Sequence, residues 1–91
     1  RVGRAVLLDV PLAAAARIKT HYVLRKPERF VVDLVGVRAK PELPAPGGRV
    51  RRVRFGRHDG FVRIVVDAAA RIASGEARMA GDHLKLSLRF D

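Results

Sequence analysis

Two short stretches alternate apolar with charged side chains, and this alternation constrains the fold more than any other feature of the chain. They are Arg29–Leu34 and Val62–Asp67, both rich in β-branched residues, and each carries one arginine near its start and one aspartate near its end. Successive side chains of a β-strand point to opposite faces, and β-branched and aromatic residues fit a pleated, half-buried surface. Both stretches are therefore predicted to be strands with an aliphatic inner side and a charged outer side.

The alternation assigns each side chain of these strands to a face. We expect six of them to point into a core: Phe30, Val32, Leu34, Val62, Ile64 and Val66. The outer sides then carry two Arg–apolar–Asp rows, which are Arg29 with Asp33 and Arg63 with Asp67. The rest of the chain is expected to support these two strands.

Further strands are predicted around them. Residues 6–10 alternate until Pro11, residues 20–24 favour a strand, residues 49–55 resume the alternation, and residues 84–90 show it most regularly. Apolar residues at every second position are typical of a strand that buries one face. The chain thus consists mainly of short strands.

Turn-forming residues separate these strands. Lys26–Glu28 contains a proline and predicts a turn, and Asp59–Gly60 is the pair most typical of a two-residue β-hairpin. Residues 35–48 contain three prolines and a Gly-Gly pair, so they are predicted to be a loop with little regular structure. Residues 68–77 fit a strand, a turn or a short helix.

The chain contains an internal repeat. Ala14–Ile18 recurs as Ala68–Ile72, and the same spacing aligns the strand at 29–34 with the strand at 84–90. Upstream, Val6–Asp9 matches Ile64–Asp67 with a small change of spacing. Matching turns and strand phases are harder to obtain by chance than matching alanines, so we interpret the repeat as a duplication.

The repeat predicts a fold. The chain is expected to be one domain, with half-repeats at about 2–34 and 50–90 joined by a linker at 35–49. A half of this size with one apolar side needs a second layer to bury that side. We therefore predict an all-β fold, a small two-sheet β-sandwich with a pseudo-twofold repeat. The two arginine–aspartate rows are expected on its two opposite outer surfaces.

Length and composition exclude several classes of protein. With 91 residues, the chain is too short for a catalytic domain and a separate binding domain, and its lack of cysteine excludes disulfides and thiolate metal sites. No stretch is long and apolar enough to be a membrane span, so no membrane insertion is expected. The chain begins at Arg1 and its one methionine is Met79, so we expect it to be a piece of a longer protein.

Catalysis and metal binding find little support. The hydroxyl side chains available as nucleophiles are Thr20, Ser74 and Ser87, and none lies in a motif that would activate it. The three histidines are far apart in the sequence and lack the spacing of a zinc motif. We expect a binding domain, not an enzyme, with no cofactor and no metal site.

The net charge of +10 favours polyanionic or carboxylate-bearing partners, unless it reflects only an arginine-rich composition. One alternative is a nucleic-acid-binding β domain, because six arginines crowd the hairpin region: Arg49, Arg51, Arg52, Arg54, Arg57 and Arg63. Phe55 and Phe61 would have to be exposed to stack on bases, but the phase of Phe55 indicates a core position. Another alternative is an assembly module that docks other proteins by strand addition at a sheet edge.

Several phrases of the sequence resemble the AMIN domain, which precedes bacterial N-acetylmuramoyl-L-alanine amidases and occurs in type IV pilus secretins. The resemblance covers residues 2–88 and is strongest over residues 27–34 (PERFVVDL) and 53–67 (VRFGRHDGFVRIVVD). It implies a non-catalytic, periplasmic two-sheet domain that binds peptidoglycan and holds its parent protein at the cell wall or division septum. Envelope, divisome or pilus proteins are further partners that it suggests, whereas nucleic acid is not expected.

The resemblance also implies ligand-binding residues, because the strand motifs of the family face outward and are thought to contact the wall. Carried over to this chain, they are Arg29, Asp33, Arg54, Gly56, Arg63 and Asp67. Arginine forks can hold the carboxylates of peptidoglycan stem peptides. The aspartates would hold these arginines or accept hydrogen bonds from sugars. Alternatively, the Arg–Asp rows are ordinary cross-strand charge pairs.

Overall fold

The structure, a computed structural model, describes residues 5–91, so residues 2–4 of the first predicted half-repeat lie outside it. The described chain forms seven β-strands and no helix. The strands are β1 (Ala5–Pro11), β2 (Arg17–Leu24), β3 (Arg29–Val35), β4 (Val50–His58), β5 (Phe61–Ala68), β6 (Ile72–Ala80) and β7 (His83–Phe90).

Two antiparallel sheets pack face to face. One has three strands in the order β1-β7-β6, and the other has four in the order β2-β3-β5-β4. This arrangement confirms the predicted all-β, two-sheet architecture. The polar loop between β3 and β4 joins the two sheets at one side, where the Glu42 amide donates to the Pro11 carbonyl at 3.0 Å.

The core lies between the sheets and is made by the alternating side chains. All six predicted inward side chains of β3 and β5 are buried, and five of them, all but Val62, form one continuous cluster with four side chains of β7: Leu84, Leu86, Leu88 and Phe90. Burial of this apolar area drives the two sheets together. The strand alternation read from the sequence is confirmed for both strands that carry the charged rows.

The turns also fall where the sequence places them. Asp59 and Gly60 connect β4 to β5, with His58 opposite Phe61, and Gly60 has a φ of 88° that suits glycine. The ambiguous stretch at 68–77 ends β5, bends at residues 69–70 and enters β6. Its strand character follows from pairing along β7, with Ile72 buried at the start.

The expectation of two opposite charged surfaces is wrong. β3 and β5 are neighbours in the four-stranded sheet, so both rows lie on the outer face of that one sheet. The antiparallel register places Arg29 opposite Asp67 and Asp33 opposite Arg63. Opposite charges directly across two neighbouring strands attract each other, so the side-by-side placement of the two rows stabilises the sheet.

In each proposed half-repeat, the strand that precedes the hairpin joins the sheet of the other half's hairpin. The β2–β3 hairpin takes β5 as its third strand, and the β6–β7 hairpin takes β1 in the same antiparallel way. Both hairpins contain a register shift at matching places, Ile18/Thr20 and Ile72/Ser74. This correspondence is what a duplication would produce, and duplication remains our hypothesis for the repeat.

Candidate functional site

The outer face of the four-stranded sheet gathers all six residues that the resemblance indicates. Cross-strand pairing aligns Arg29 with Asp67 and Arg52, and it aligns Asp33 with Arg63 and Gly56. Arg54 lies between these two rows, opposite Val65. We call this surface the arginine–aspartate face and define it by seven residues: Arg29, Asp33, Arg52, Arg54, Gly56, Arg63 and Asp67.

Asp33 and Arg63 form the most buried ion pair of this face. Arg63 Nε donates to Asp33 Oδ1 at 2.8 Å, and Arg63 Nη2 donates to Asp33 Oδ2 at 3.1 Å. Asp33 is 4 % exposed and is the one buried charged residue among residues 5–91, whereas the Arg63 side chain is 34 % exposed. The hydrogen bond with Asp33 raises the pKa of the Arg63 guanidinium. The carboxylate thus lies in the sheet surface and fixes the arginine above it.

Asp67 is held by two arginines. Arg54 donates from Nε to Oδ2 at 2.8 Å and from Nη2 to Oδ1 at 3.1 Å, and Arg52 Nε donates to Oδ2 at 3.2 Å. The hydrogen bond from Arg54, then that from Arg52, lowers the pKa of Asp67 although its partial burial acts in the opposite direction. Asp67 is therefore an ionised anchor for two exposed guanidinium groups.

Arg29 does not pair with an aspartate. Its Nε donates to the Pro27 carbonyl at 3.1 Å, and its Nη2 lies 3.5 Å from the Arg25 carbonyl. The guanidinium thus bends toward the β2–β3 turn, away from Asp33, which lies on the same strand. The predicted row of Arg29 with Asp33 shares one face, but its members do not touch through an ion pair in the described structure.

Apolar side chains lie beneath the arginines of the arginine–aspartate face and are largely shielded from solvent. Val31 and Val65 point outward, yet they are only 2 % and 9 % exposed. Gly56, opposite Arg63, carries no side chain, and a Cβ placed there would meet only His58 Nε2, at 3.7 Å. The face therefore has a shallow gap beside Arg63, bordered by arginines that lie over the sheet.

This geometry leaves the arginines able to bind a second anion. A guanidinium carries five N–H donors, and the pairs with Asp33 and Asp67 use two donors of Arg63 and two of Arg54. The remaining donors of each arginine are directed away from its aspartate. Because the aspartates already fix the guanidinium planes, a bound carboxylate would immobilise less side-chain freedom than it would on unpaired arginines.

Sequence reasoning missed Arg52 as a partner of Asp67. The signal was present in the chain, since a two-residue turn at Asp59–Gly60 fixes the register of the whole β4–β5 hairpin and sets Arg52 opposite Asp67. The pairing of Asp33 with Arg63 had no such signal. It depends on contact between strands that are not joined by a short turn.

The aromatic side chains near this face are not available for stacking on nucleic-acid bases. Phe55 packs against the core. Phe61 stacks on His58, with ring centroids 4.9 Å apart, and Lys19 Nζ lies 4.6 Å from the Phe61 centroid. Base stacking needs an open aromatic face. The nucleic-acid alternative is therefore not favoured.

Two further observations bear on chemistry. Among residues 5–91, no three His, Asp or Glu side chains are grouped as metal ligands would be. The same described part of the chain contains no helix with the length and apolarity needed to cross a lipid bilayer.

The family comparison agrees with the fold. The model of the AMIN domain matches residues 9–87, which include all the residues of the arginine–aspartate face. The chain belongs to the AMIN domain family. AMIN domains are non-catalytic modules that target proteins to peptidoglycan, and they are generally found in periplasmic or envelope proteins. Neither the curated proteins nor the solved structures compared with this AMIN domain include a match to it.

Proposed function

We propose that this AMIN domain binds peptidoglycan through the arginine–aspartate face and so holds its parent protein at the cell wall. The parent would be a cell-wall amidase or a pilus secretin, located in the periplasm and acting at the wall or the division septum. The domain itself contributes binding and no catalysis.

The observation that carries this proposal is the position of Arg54 and Arg63 over two aspartates on one surface. Each arginine is held by a two-point contact with a carboxylate, and each keeps donors for another group. Peptidoglycan stem peptides carry carboxylates, which match the planar arginine fork. Single contacts of this kind at a surface contribute about 1 kcal/mol or less. Binding to a repetitive polymer would therefore depend on several such contacts and on repeated rebinding along the polymer.

The proposal is tested by co-sedimentation of the domain with purified, nucleic-acid-free sacculi over a salt series. The variant Arg54→Lys with Arg63→Lys keeps the net charge but replaces two planar forks by point charges. We expect its affinity for sacculi to fall by about tenfold, the loss of roughly one good charge-assisted contact. Sedimentation of the unchanged domain should persist at moderate salt.

A matched control makes the same substitutions on the other sheet. Arg78 and Arg89 lie exposed on β6 and β7, and neither forms an ion pair among the described residues. Arg78→Lys with Arg89→Lys should leave sedimentation unchanged. Equal weakening by both double variants would show that charge alone attracts the domain to the wall. Soluble domain beside sacculi, together with tight binding to RNA or DNA, would overturn the proposal in favour of the nucleic-acid alternative.

A further inference from the structure

One end of the four-stranded sheet contains a cleft that borders the arginine–aspartate face and shares Arg52 and Asp67 with it. The cleft has a volume of about 570 Å³ and lies between the β2–β3 turn, the start of β4 and the bend between β5 and β6. This volume is within the range of small-ligand sites, roughly 300–1,000 Å³. Three arginines line it: Arg51, Arg52 and Arg71.

A β-bulge brings two consecutive arginines into this cleft. The register between β4 and β5 shifts between Val50 and Arg52, so Arg51 has no partner on β5. Val50 and Val53 are buried, whereas Arg51 and Arg52 are both exposed. In a regular strand, neighbouring side chains would point to opposite faces, and a bulge changes the direction of one of them. The bulge thus places a second guanidinium beside Arg52.

The arginines of the cleft keep most of their donors. Among the described residues, Arg51 forms no side-chain hydrogen bond or ion pair, Arg52 uses its Nε for Asp67, and Arg71 uses one Nη1 for Asp91. Their side chains are strongly exposed, at 66 % for Arg52 and 63 % for Arg71. The cleft is therefore a concave surface rich in unused N–H donors.

The two carboxylates that line the cleft are already occupied. Glu28 Oε1 accepts hydrogen bonds from the Ile72 amide, at 2.8 Å, and from Arg25. The bond from the Ile72 amide is the main reason why the pKa of Glu28 is lowered. Asp67 is held by Arg54 and Arg52. Both carboxylates already accept hydrogen bonds from protein groups. The three arginines that line the cleft outnumber them.

The second copy of the repeated alanine motif, at residues 68–70, contributes small side chains to the lining of the cleft. Ala68, Ala69 and Ala70 line it together with the arginines, and the exposed Ala69 leaves space that a larger side chain would fill. The described residues that line the cleft include no aromatic ring on which a sugar ring could stack. Its lining thus suits a small anionic group attached to a short peptide better than it suits a glycan.

We propose that this cleft is a carboxylate site that takes the free carboxyl groups of peptidoglycan stem peptides. The inference rests on the proposed function and names the part of the polymer that is bound, the peptide instead of the glycan. Guanidinium groups also bind phosphate, so a phosphate group is the competing anion for the same donors.

The test uses a soluble stem peptide released from peptidoglycan, the same peptide with its carboxyl groups amidated, and inorganic phosphate. Each is titrated into the ¹⁵N-labelled domain, and binding is followed by NMR shifts of residues around the cleft. We expect the free acid to bind and the amidated peptide to bind at least about tenfold more weakly, since the charge-assisted hydrogen bonds are lost. Inorganic phosphate should compete only at higher concentration than the peptide.

Two variants locate the binding. Arg51→Gln removes a guanidinium that has no partner within the described part of the chain, and Ala69→Leu fills the cleft at an exposed position without changing the charge. Both should weaken binding of the free acid by about fivefold or more. The control Arg57→Gln removes the same charge from the far end of β4 and should leave the affinity unchanged.

Each contrary outcome has a distinct meaning. Equal binding of acid and amide, equal loss in Arg51→Gln and Arg57→Gln, or tighter binding of phosphate than of the peptide would overturn the carboxylate site. Sacculi would still sediment the domain in that case if the proposed function holds. Failure of the domain to sediment with sacculi would instead contradict the proposed function, whatever the peptide does at the cleft.

Discussion

At the scale of single residues, the two aspartates differ in what they support. Asp33 is buried and fixes one arginine, whereas Asp67 is partly exposed and fixes two. Hydrogen bonds from arginine favour the ionised form of a carboxyl group in the folded chain. Because its pKa then differs between the folded and unfolded chain, its contribution to stability depends on pH. Asp67 makes this dependence measurable because the pKa of its carboxyl is lowered in the folded chain.

We predict that Asp67→Asn lowers the free energy of unfolding by about 1 kcal/mol near neutral pH, a value kept small because Arg54 is half exposed. The folded-state pKa of Asp67 lies below the ordinary value of 3.8. Its contribution is therefore complete above that value and is lost as the pH falls through the lowered pKa. Urea unfolding at neutral and strongly acidic pH should show that the difference between the native chain and the variant disappears in acid.

The control for this experiment is Asp59→Asn. Asp59 lies in the β4–β5 turn and forms no side-chain hydrogen bond in the described structure, and asparagine is equally suited to such a turn. Its substitution removes the same charge without removing an arginine contact. A loss of stability as large for Asp59→Asn as for Asp67→Asn would show that the effect comes from net charge and not from the Arg54–Asp67 contact.

At the scale of the strands, the two sheets are tightly packed where β6 passes over Phe30 of β3. A Cβ built on Gly75 would lie 2.5 Å from Phe30 Cε1 and 3.1 Å from Leu88 Cδ2. Phe30 is fully buried, so its ring has little room to move. Gly75 therefore sets the distance between the sheets at this point.

We predict that Gly75→Ala destabilises the domain by about 1–3 kcal/mol, the usual range for overpacking a core. The matched control is Gly56→Ala, at another strand glycine, where the nearest atom to a new Cβ is at an ordinary contact distance of 3.7 Å. That variant should change the free energy of unfolding by less than about 0.5 kcal/mol. Chemical denaturation measures both, and equal effects would contradict the close packing of Phe30 against β6.

Some features of the strands could be predicted from the sequence and others could not. Alternation predicted the inward side chains of β3, β5 and β7 because each strand buries one face, and the Asp59–Gly60 turn predicted the β4–β5 hairpin. The order of strands in the sheets was not predictable in the same way. β3 and β5 are separated by a long loop and a strand, so no local turn fixes their pairing.

The candidate site was predictable to the same extent. Six of its seven residues were indicated by the sequence, on β3, β4 and β5, whereas the partner of each aspartate depended on the register between strands. The bulge that exposes both Arg51 and Arg52 was missed, although two consecutive arginines between Val50 and Val53 interrupt the alternation at that point.

At the scale of the whole molecule, the net charge is +10, and the charged side chains are arranged differently on the two outer faces of the sandwich. The outer face of the four-stranded sheet holds arginines that are fixed by aspartates. The outer face of the three-stranded sheet has a different arrangement, in which Asp9 pairs with Lys85 at 2.9 Å and lies 2.9 Å from His83 Nδ1. Within residues 5–91, no carboxylate forms an ion pair with the exposed Arg78 or Arg89 on that face. We therefore propose that only the outer face of the four-stranded sheet contacts the wall.

The most direct test of this assignment follows the side-chain Nε–H signals of arginines by NMR while soluble peptidoglycan fragments are added. Arg54 and Arg63 lie on the arginine–aspartate face, and Arg78 and Arg89 lie on the outer face of the three-stranded sheet. We predict that the signals of Arg54 and Arg63 shift on binding while those of Arg78 and Arg89 stay in place. Shifts confined to Arg78 and Arg89 would contradict the central claim.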